Sequence, residues 1–486
     1  MTNEIKSRIS GVLLHITSLP SAYGIGGLGK EAFAFVDYLQ STHQTYWQIL
    51  PLNYPGYGDS PYNSISSFAG NPWLIDPNKL FEAGLVSSQD LHKAELPNDG
   101  KVHFPVMMKT KQKLFKTAFN NFKTTNDPSL LNDFLEKEGY WLKPFSVFCH
   151  LRNIYEELVW QKWSAEQRFY SDSLFDEIYQ QNPDDILYHV FLQYVFDKQL
   201  AVLKTYAVEQ GIQIIGDLPL YVSLNSSDVW SNPELFELDS EGYPHRVAGV
   251  PPDAFSETGQ LWGNPLYRWD KMQEQDFDWW KKRLGKALVF ADRIRIDHFI
   301  GLVNFWAVDA HETSAINGNW IPGPKYAFFD SILQVFPKEA FIAEDLGILT
   351  DEVNHLREHY GFPGMIILQF CFQDDQNDIL SFPENKIIFT GTHDNHTTLG
   401  WFLANQEADK SDNHHMENYL HKVGMLADDT KLTKHNVSEL MTDLAYKSPC
   451  HIAIVPMQDI LSLDDNARMN VPGTAIGNWH WRMTSY

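Results

Sequence analysis

Arg293-Ile294-Arg295-Ile296-Asp297 is the stretch on which the fold turns. Its residues alternate, so an extended backbone puts the arginines and the aspartate on one face and the isoleucines on the other. The run is short and stops at an acid. Seven further short, largely apolar runs also give way to polar or small residues, and the full set lies at 11–15, 46–50, 212–216, 293–297, 341–344, 365–369, 387–391 and 452–455. Most are near-continuously hydrophobic, the pattern of parallel strands covered on both faces. Eight such runs with helical patterns between several of them predict an α/β protein, a (β/α)8 TIM barrel. In that fold reactive groups stand where a strand ends and the next loop begins.

The spacing of the runs adds detail. Residues 30–39 form a helical pattern that joins the first two runs into a compact βαβ unit. The gap from Leu50 to Ile212 is too long for one helix, and 75–181 reads as a largely helical insertion between strands two and three. Residues 221–288, rich in Pro, Gly, Ser, Asn and Trp, read as a loop-rich insertion between strands three and four, over the barrel mouth. The helix that leads into strand three is marked by Asn182 as cap, Pro183 in the first turn, Asp184 and Asp185 beside it, and Gly211 past its end. No internal repeat appears. The reading is therefore one catalytic unit over 1–486 with two inserted subdomains.

Composition narrows the partners. The formal net charge is −24, from 38 basic and 62 acidic residues, and no basic run stands out. Nucleic acid and anionic membrane, which need clustered Lys and Arg, are excluded as expected partners. Aromatic residues make up 14% of the chain, a share suited to packing sugar rings. Cys149, Cys371 and Cys450 are widely spaced, as expected of inert thiols in a reducing compartment. The run Val12-Leu13-Leu14 is too short for a signal peptide, and no stretch approaches the ~18 apolar residues of a membrane span. A cytoplasmic location is expected.

Among candidate motifs, Gly24-Ile25-Gly26-Gly27-Leu28-Gly29 matches the dinucleotide-binding spacing. The match fails in context: Ser18-Leu19-Pro20-Ser21 separates it from the strand, and no acid closes the second run. A glycine-rich substrate loop is the better expectation. His414, His415 and His421, and Asp374, Asp375 and Asp378, fit no standard zinc or calcium spacing, so no metal is expected. The strand-end acids Asp297, Glu344 and Asp394 carry more information. Converging on strands four, five and seven of one barrel mouth, they suit glycoside chemistry. There one carboxylate attacks the anomeric carbon while another, its pKa raised, protonates the leaving oxygen. Arg295, two residues before Asp297, can hold that carboxylate ionised. His298 and His393 can bind sugar hydroxyls.

The segments I-R-I-D-H-F at 294–299, A-E-D-L-G at 343–347 and T-G-T-H-D-N at 390–395 resemble the amylomaltase (disproportionating enzyme) family of 4-α-glucanotransferases, glycoside hydrolase family 77. The resemblance continues through G-Y-G-D-S-P-Y at 56–62, F-A-G-N-P at 68–72, G-D-L-P at 216–219, S-S-D-V-W at 226–230, G-V-P-P-D at 249–253 and G-Q-L-W-G-N-P-L-Y at 259–267. It ends with P-M-Q-D at 456–459, A-R-M-N-V-P-G-T at 467–474 and G-N-W-H-W-R at 477–482. It implies Asp297 as nucleophile, Glu344 as general acid/base and Asp394 as a stabiliser gripping the hydroxyls of a distorted sugar. Ser60, Tyr62, Asp217, Asp253, Gln260, Trp262, Arg295, His298, His393 and Asn470 fall at the family's substrate-binding or site-supporting positions. The implied reaction is retaining transfer from an α-1,4-glucan donor to the 4-hydroxyl of an acceptor glucan or glucose, with no cofactor; amylase-like hydrolysis is the alternative. Several positions depart from the family pattern. Ala254 stands where an aromatic residue is usual, Ile300 where arginine is usual, and His396 and Asn225 where acids are usual. The chain also stops at Tyr486, soon after W-R-M, where relatives usually continue into a further helix.

Overall fold

A computed structural model describes residues 9–127, 129–252, 256–347 and 349–485. Its strands, in chain order, are β1 (Ile9–Leu13), β2 (Tyr46–Gln48), β3 (Gln213–Leu218), β4 (Arg246–Val250), β5 (Gln260–Pro265), β6 (Arg293–Ile296), β7 (Asn304–Asp309), β8 (Gly318–Pro322), β9 (Phe341–Ala343), β10 (Gly364–Ile367), β11 (Lys386–Phe389) and β12 (Ile452–Pro456). Eight of them form one sheet in the order β10-β11-β12-β1-β2-β3-β6-β9, with every pairing parallel. The sheet closes on itself: beyond β9 and just before β10, the Ala343 N–H donates to the Pro363 carbonyl at 2.9 Å. The eight barrel strands are the eight apolar runs of the sequence. The fold is a (β/α)8 barrel.

Several of the expected runs extend a residue or two past the observed strand ends. The reason is local. The polar residue at each end leaves the ladder to face the mouth, but the backbone bonding continues one step further. Leu14 N–H donates to Gln48 O (3.0 Å), Asp297 N–H to Leu218 O (3.0 Å) and Glu344 N–H to Ile296 O (3.1 Å). The acids at 297 and 344 are thus still fixed by the sheet although they stand outside its strands.

Helices wrap the barrel. Lys30–Ser41 joins β1 to β2, and Pro183–Glu209 leads into β3. Asn182 occupies the cap position of the latter helix but makes no side-chain capping bond, while Gly211 takes the left-handed conformation (φ 76°) that lets the chain turn into the strand. Two buried glutamines on this helix grip the strand-two loop as a backbone partner would. Gln193 exchanges bonds with the Gly70 N–H and carbonyl (2.7 and 2.9 Å), and Gln199 does the same with Asp76 (2.7 and 3.3 Å). Residues 75–181 contain six α-helices among the described residues.

The segment 221–288 holds more order than its composition suggests. It contributes β4 and β5 to a four-stranded antiparallel sheet, β5-β4-β7-β8, whose other two strands follow β6. Ala248, Phe305 and Ala307 face the main core, while Val247, Val308 and Ala315 form a small cluster on the opposite face. Gly and Pro interrupt the alternation of these strands, which is why the sequence reads as loop. The glycine-rich segment 24–29 is likewise not an exposed substrate loop. It is buried, and a Cβ would sit 2.0 Å from the Ile16 carbonyl at Gly26 and 2.8 Å from the Leu74 carbonyl at Gly27, so these two glycines serve close packing of backbone on backbone.

Candidate active site

The mouth of the barrel gathers the candidate acids around one arginine. Arg295, on β6 and 5% exposed, donates from Nη1 to Asp217 Oδ2 at 2.6 Å and pairs through Nη2 with Asp297 Oδ1 at 3.0 Å. Asp217 is carried by the neighbouring strand β3, in register with Arg295. Tyr62 completes this side by donating its Oη proton to the same Asp217 oxygen at 2.6 Å. Burial disfavours the arginine's charge, but Asp217 and Asp297 outweigh it and hold the guanidinium pKa well above its ordinary value.

Glu344 follows β9 and is nearly enclosed, at 9% exposed. Its two oxygens accept backbone N–H groups, Oε2 from His298 at 2.7 Å and Oε1 from Leu346 at 3.2 Å. His298 reaches it because its backbone adopts the left-handed conformation (φ 55°), sparsely populated for a non-glycine residue. Burial pushes the Glu344 carboxyl up to about 8; Arg295 and the His298 N–H oppose that rise, and Asp297 and Asp345 add to it. At neutral pH Glu344 therefore keeps its proton, while Asp297 stands more open to solvent (29% exposed) and pairs with Arg295 at 3.0 Å. These are two carboxyl groups in two environments.

Asp394 follows β11 on the far side of the mouth. Asn470 Nδ2 donates to its Oδ1 at 2.6 Å, and His393 Nε2 lies 3.4 Å from the same oxygen. The His393 ring stacks on Tyr62 (centroids 5.0 Å apart, 14° between planes), and Trp479 packs against both. Tyr62 thereby links the two sides of the site. Burial raises its phenol pKa well above the ordinary value, and Asp217, Asp297 and Asp394 all add to that rise. Asp297 and Asp394 thus both act on one phenol, and Asp297 acts on Glu344 as well.

The remaining predicted residues divide. Trp262, on β5 and 37% exposed, presents its ring edge-on to His298 (4.8 Å, 88°), and its Nε1 donates to Gln260 Oε1 at 3.2 Å. The antiparallel sheet thus overhangs the mouth. Burial lowers the His298 pKa to about 4 despite Asp297, and His298 Nε2 is buried without a partner among the described residues. Ser60 accepts the Tyr62 N–H at 3.2 Å and so shapes the loop that delivers Tyr62. Asp253 and Ala254 lie outside the described residues.

Sequence reading missed other members. His15 ends the first barrel run and is buried beside His393. Burial, with that neighbouring imidazole, lowers its pKa to about 3. The strand-end criterion that selected the acids selects His15 too. Trp479 joins the rings of Tyr62 and His393, and Tyr221 those of Trp262 and His298, without a spacing signal. Asp345, fully enclosed, pairs with Arg357 (3.1 Å) and Lys386 (2.5 Å) and accepts the Met365 N–H (2.6 Å), tying β9 to β10 and β11 directly behind Glu344. His415 and His421 are turned to the carbonyls of Phe372 and Leu426 at 2.9 and 3.1 Å. No group of three or more His, Cys, Asp or Glu is arranged to hold a metal ion among the described residues.

A closed parallel barrel with acids and aromatic rings at the carboxyl ends of its strands defines a (β/α)8 barrel enzyme of the kind that works on sugars. Residues 14–486 match the family model described as 4-alpha-glucanotransferase, glycoside hydrolase family 77. Curated relatives include the 4-alpha-glucanotransferases of Streptococcus pneumoniae (41% identical over 485 residues, 99% of this chain and 94% of the relative) and Aquifex aeolicus (41% over 480 residues, 98% and 95%). Among solved structures, the amylomaltase of Streptococcus agalactiae in complex with acarbose superposes with a TM-score of 0.91 at 38% identity, covering 98% of this chain and 95% of that one. The amylomaltase of Corynebacterium glutamicum shares the fold, with a TM-score of 0.81 at 19% identity. The chain belongs to the 4-alpha-glucanotransferase (amylomaltase) family, and its function is that of a 4-alpha-glucanotransferase.

Proposed function

We propose that the enzyme transfers α-1,4-glucan segments by a retaining double displacement in which Asp297 is the nucleophile and Glu344 the acid and then the base. The observation that carries this reading is the contrast between the two carboxyls: Glu344 enclosed and raised to about 8, Asp297 paired with Arg295 at 3.0 Å. In the first step Asp297 Oδ attacks the anomeric carbon, the glycosidic bond breaks, and the Glu344 proton goes to the departing 4-oxygen. In the second step Glu344, now a carboxylate, takes the proton of an acceptor 4-hydroxyl, whose oxygen displaces Asp297. Asp394, held by Asn470, accepts hydroxyls of the distorted sugar. Tyr62, Asp217 and Arg295 fix Asp297. Trp262, Gln260, Ser60, Asp253, His298 and His393 bind the glucan around it, and no cofactor takes part.

The insertions at 75–181 and 221–288 act as subdomains of one catalytic unit, a view supported by one buried cluster that joins Leu114 and Trp160 to Val12 and Ile294. A cytoplasmic location is supported by the burial of Cys149, Cys371 and Cys450, as expected of inert thiols. Among the described residues no helix is long and apolar enough to cross a membrane.

Incubation with maltotriose tests the reaction. Transfer produces glucose together with a ladder of longer maltodextrins. Products that are only shorter than the substrate would replace this reading with amylase-like hydrolysis.

A further inference from the structure

One charged side chain serves the mouth without facing it. Arg468 lies in the loop after β12 and is half-buried, and its guanidinium joins two segments of chain. Nη2 donates to the backbone carbonyl of Asp394, Nε donates to the carbonyl of Asn470 at 2.8 Å, and Nη1 lies 3.3 Å from His396 Nδ1. Asn470 completes a circuit: its N–H donates to His393 O at 3.1 Å and its Nδ2 to Asp394 Oδ1 at 2.6 Å. Both ends of Asp394 are therefore held by one loop, the carbonyl by Arg468 and the carboxylate by Asn470. Arg468 fixes the backbone of Asn470 as well.

The arginine's counter-charge is Asp465. Its Oδ1 accepts the Thr397 N–H at 3.0 Å, at the start of the helix Thr398–Glu407, and its Oδ2 meets His396 Nδ1. The carboxylate packs directly on that helix: a Cβ at Gly400 would sit 2.1 Å from Asp465 Oδ1. His396 Nδ1 faces two groups that want opposite things, an acceptor on Asp465 and a donor on Arg468. A single nitrogen serves only one of them. When it carries a proton for Asp465, Arg468 is held by the two carbonyls and by the nearby charge of Asp465, not by the imidazole.

We propose that Arg468 is a positioning residue for the transfer reaction. By clamping residues 392–397 onto residues 465–470, it keeps the Asp394 carboxylate and the Asn470 amide in the mutual orientation that meets the sugar. This inference rests on the reading of Asp394 as the group that grips the distorted ring. Lysine at 468 cannot reproduce the clamp, because one ammonium lacks the planar fork that reaches two carbonyls at once. A shift of about 1 Å in such a group costs up to ~10²-fold in rate.

The test is a double-mutant cycle on the full chain with R468M, D394N and the double variant, read two ways. The first readout is kcat and KM on maltotriose. R468M is expected to lower kcat by roughly 10²-fold with KM changed only a few-fold, and R468K to recover about a tenth of the wild-type rate. The second is the affinity for acarbose, measured by calorimetry so that inactive variants still report. The single variants are each expected to weaken binding, and D394N/R468M to bind no more weakly than D394N alone, because Arg468 acts through the Asp394 carboxylate and the Asn470 amide bonded to it. Losses that add, or an R468M enzyme with wild-type kcat, would overturn the proposal. An R468M enzyme that loses thermal stability but keeps wild-type constants per folded molecule would overturn it too. If R468M does not fold, R468K carries the same cycle. A D394N enzyme with full activity would instead overturn the underlying reading of Asp394.

Discussion

The raised carboxyl of Glu344 makes the most quantitative prediction. A general acid must hold its proton when substrate arrives, and Glu344 holds it up to about pH 8. Above that the protonated fraction falls tenfold per pH unit, so kcat/KM for maltotriose is expected to drop to roughly a tenth at about pH 9 and a hundredth at about pH 10. Glu344→Gln removes the titrating group, lowers activity on the order of 10²–10⁴-fold and abolishes that alkaline limb. The same burial leaves a mark on stability. The folded pKa stands above the unfolded one, so the folded state binds more protons between about pH 4.5 and 8. The contribution to stability is complete below the unfolded pKa and is lost as pH rises through the folded one. Ionising a carboxyl in this setting costs on the order of several kcal/mol. The melting temperature of the wild type should therefore fall, relative to Glu344→Gln, as pH is raised toward about 8, and level off beyond it. Stopped assays across pH 5–10, paired with thermal melts of both proteins, check this. A rate that holds through pH 10, or an activity already lost near pH 5, would refute the reasoning. So would parallel melting curves for the two proteins.

Three further outcomes are expected. Tyr62→Phe removes the proton donated to Asp217 but keeps a ring for His393 to stack on. Its kcat should fall about tenfold, with a loss of about 1.5–3 kcal/mol in urea unfolding. Gly26→Ala forces a methyl against the Ile16 carbonyl and should cost about 1–3 kcal/mol or more by the same measurement, with activity per folded molecule unchanged. Lys111 is buried with its pKa lowered to about 7, and it donates to Trp73 O and Ile75 O. The unfolded chain therefore binds more protons than the folded one between about pH 7 and 10.5, so this group adds stability as pH rises through that window. The melting temperature of the wild type should therefore rise relative to that of Lys111→Met across this window, opposite in sign to the Glu344 effect.

The barrel was legible because buried parallel strands leave a strong mark. Most of the eight runs are nearly uninterrupted apolar segments, the alternating 293–297 aside, and each contributes a barrel strand. The three acids were legible for a related reason: a charge at the end of such a run has few places to go except the mouth. What the sequence concealed is mostly geometry across long separations. Nothing local to Gly249 or Trp306 announces that they pair across β4 and β7, since short antiparallel strands broken by glycine and proline resemble loop. Tyr62 and Asp217, 155 residues apart, meet only because β2 and β3 are neighbours. The glycines at 24–29 match a binding spacing but do packing work, which only the approach of Ile16 and Leu74 reveals. Arg468 gives no spacing signal, because its partners are backbone carbonyls and any residue supplies those.

The central claim is a covalent glucosyl link to Asp297, and one experiment reaches it directly. Glu344→Gln lacks the acid for the first step and the base for the second. An α-maltosyl fluoride donor needs no acid, because fluoride leaves unaided, so the variant should form the glycosyl-enzyme and be slow to release it. Mass spectrometry of the quenched, digested protein is predicted to show the added maltosyl mass on the peptide that contains Asp297. A maltosyl mass on another residue, or none while fluoride release continues, would contradict the account.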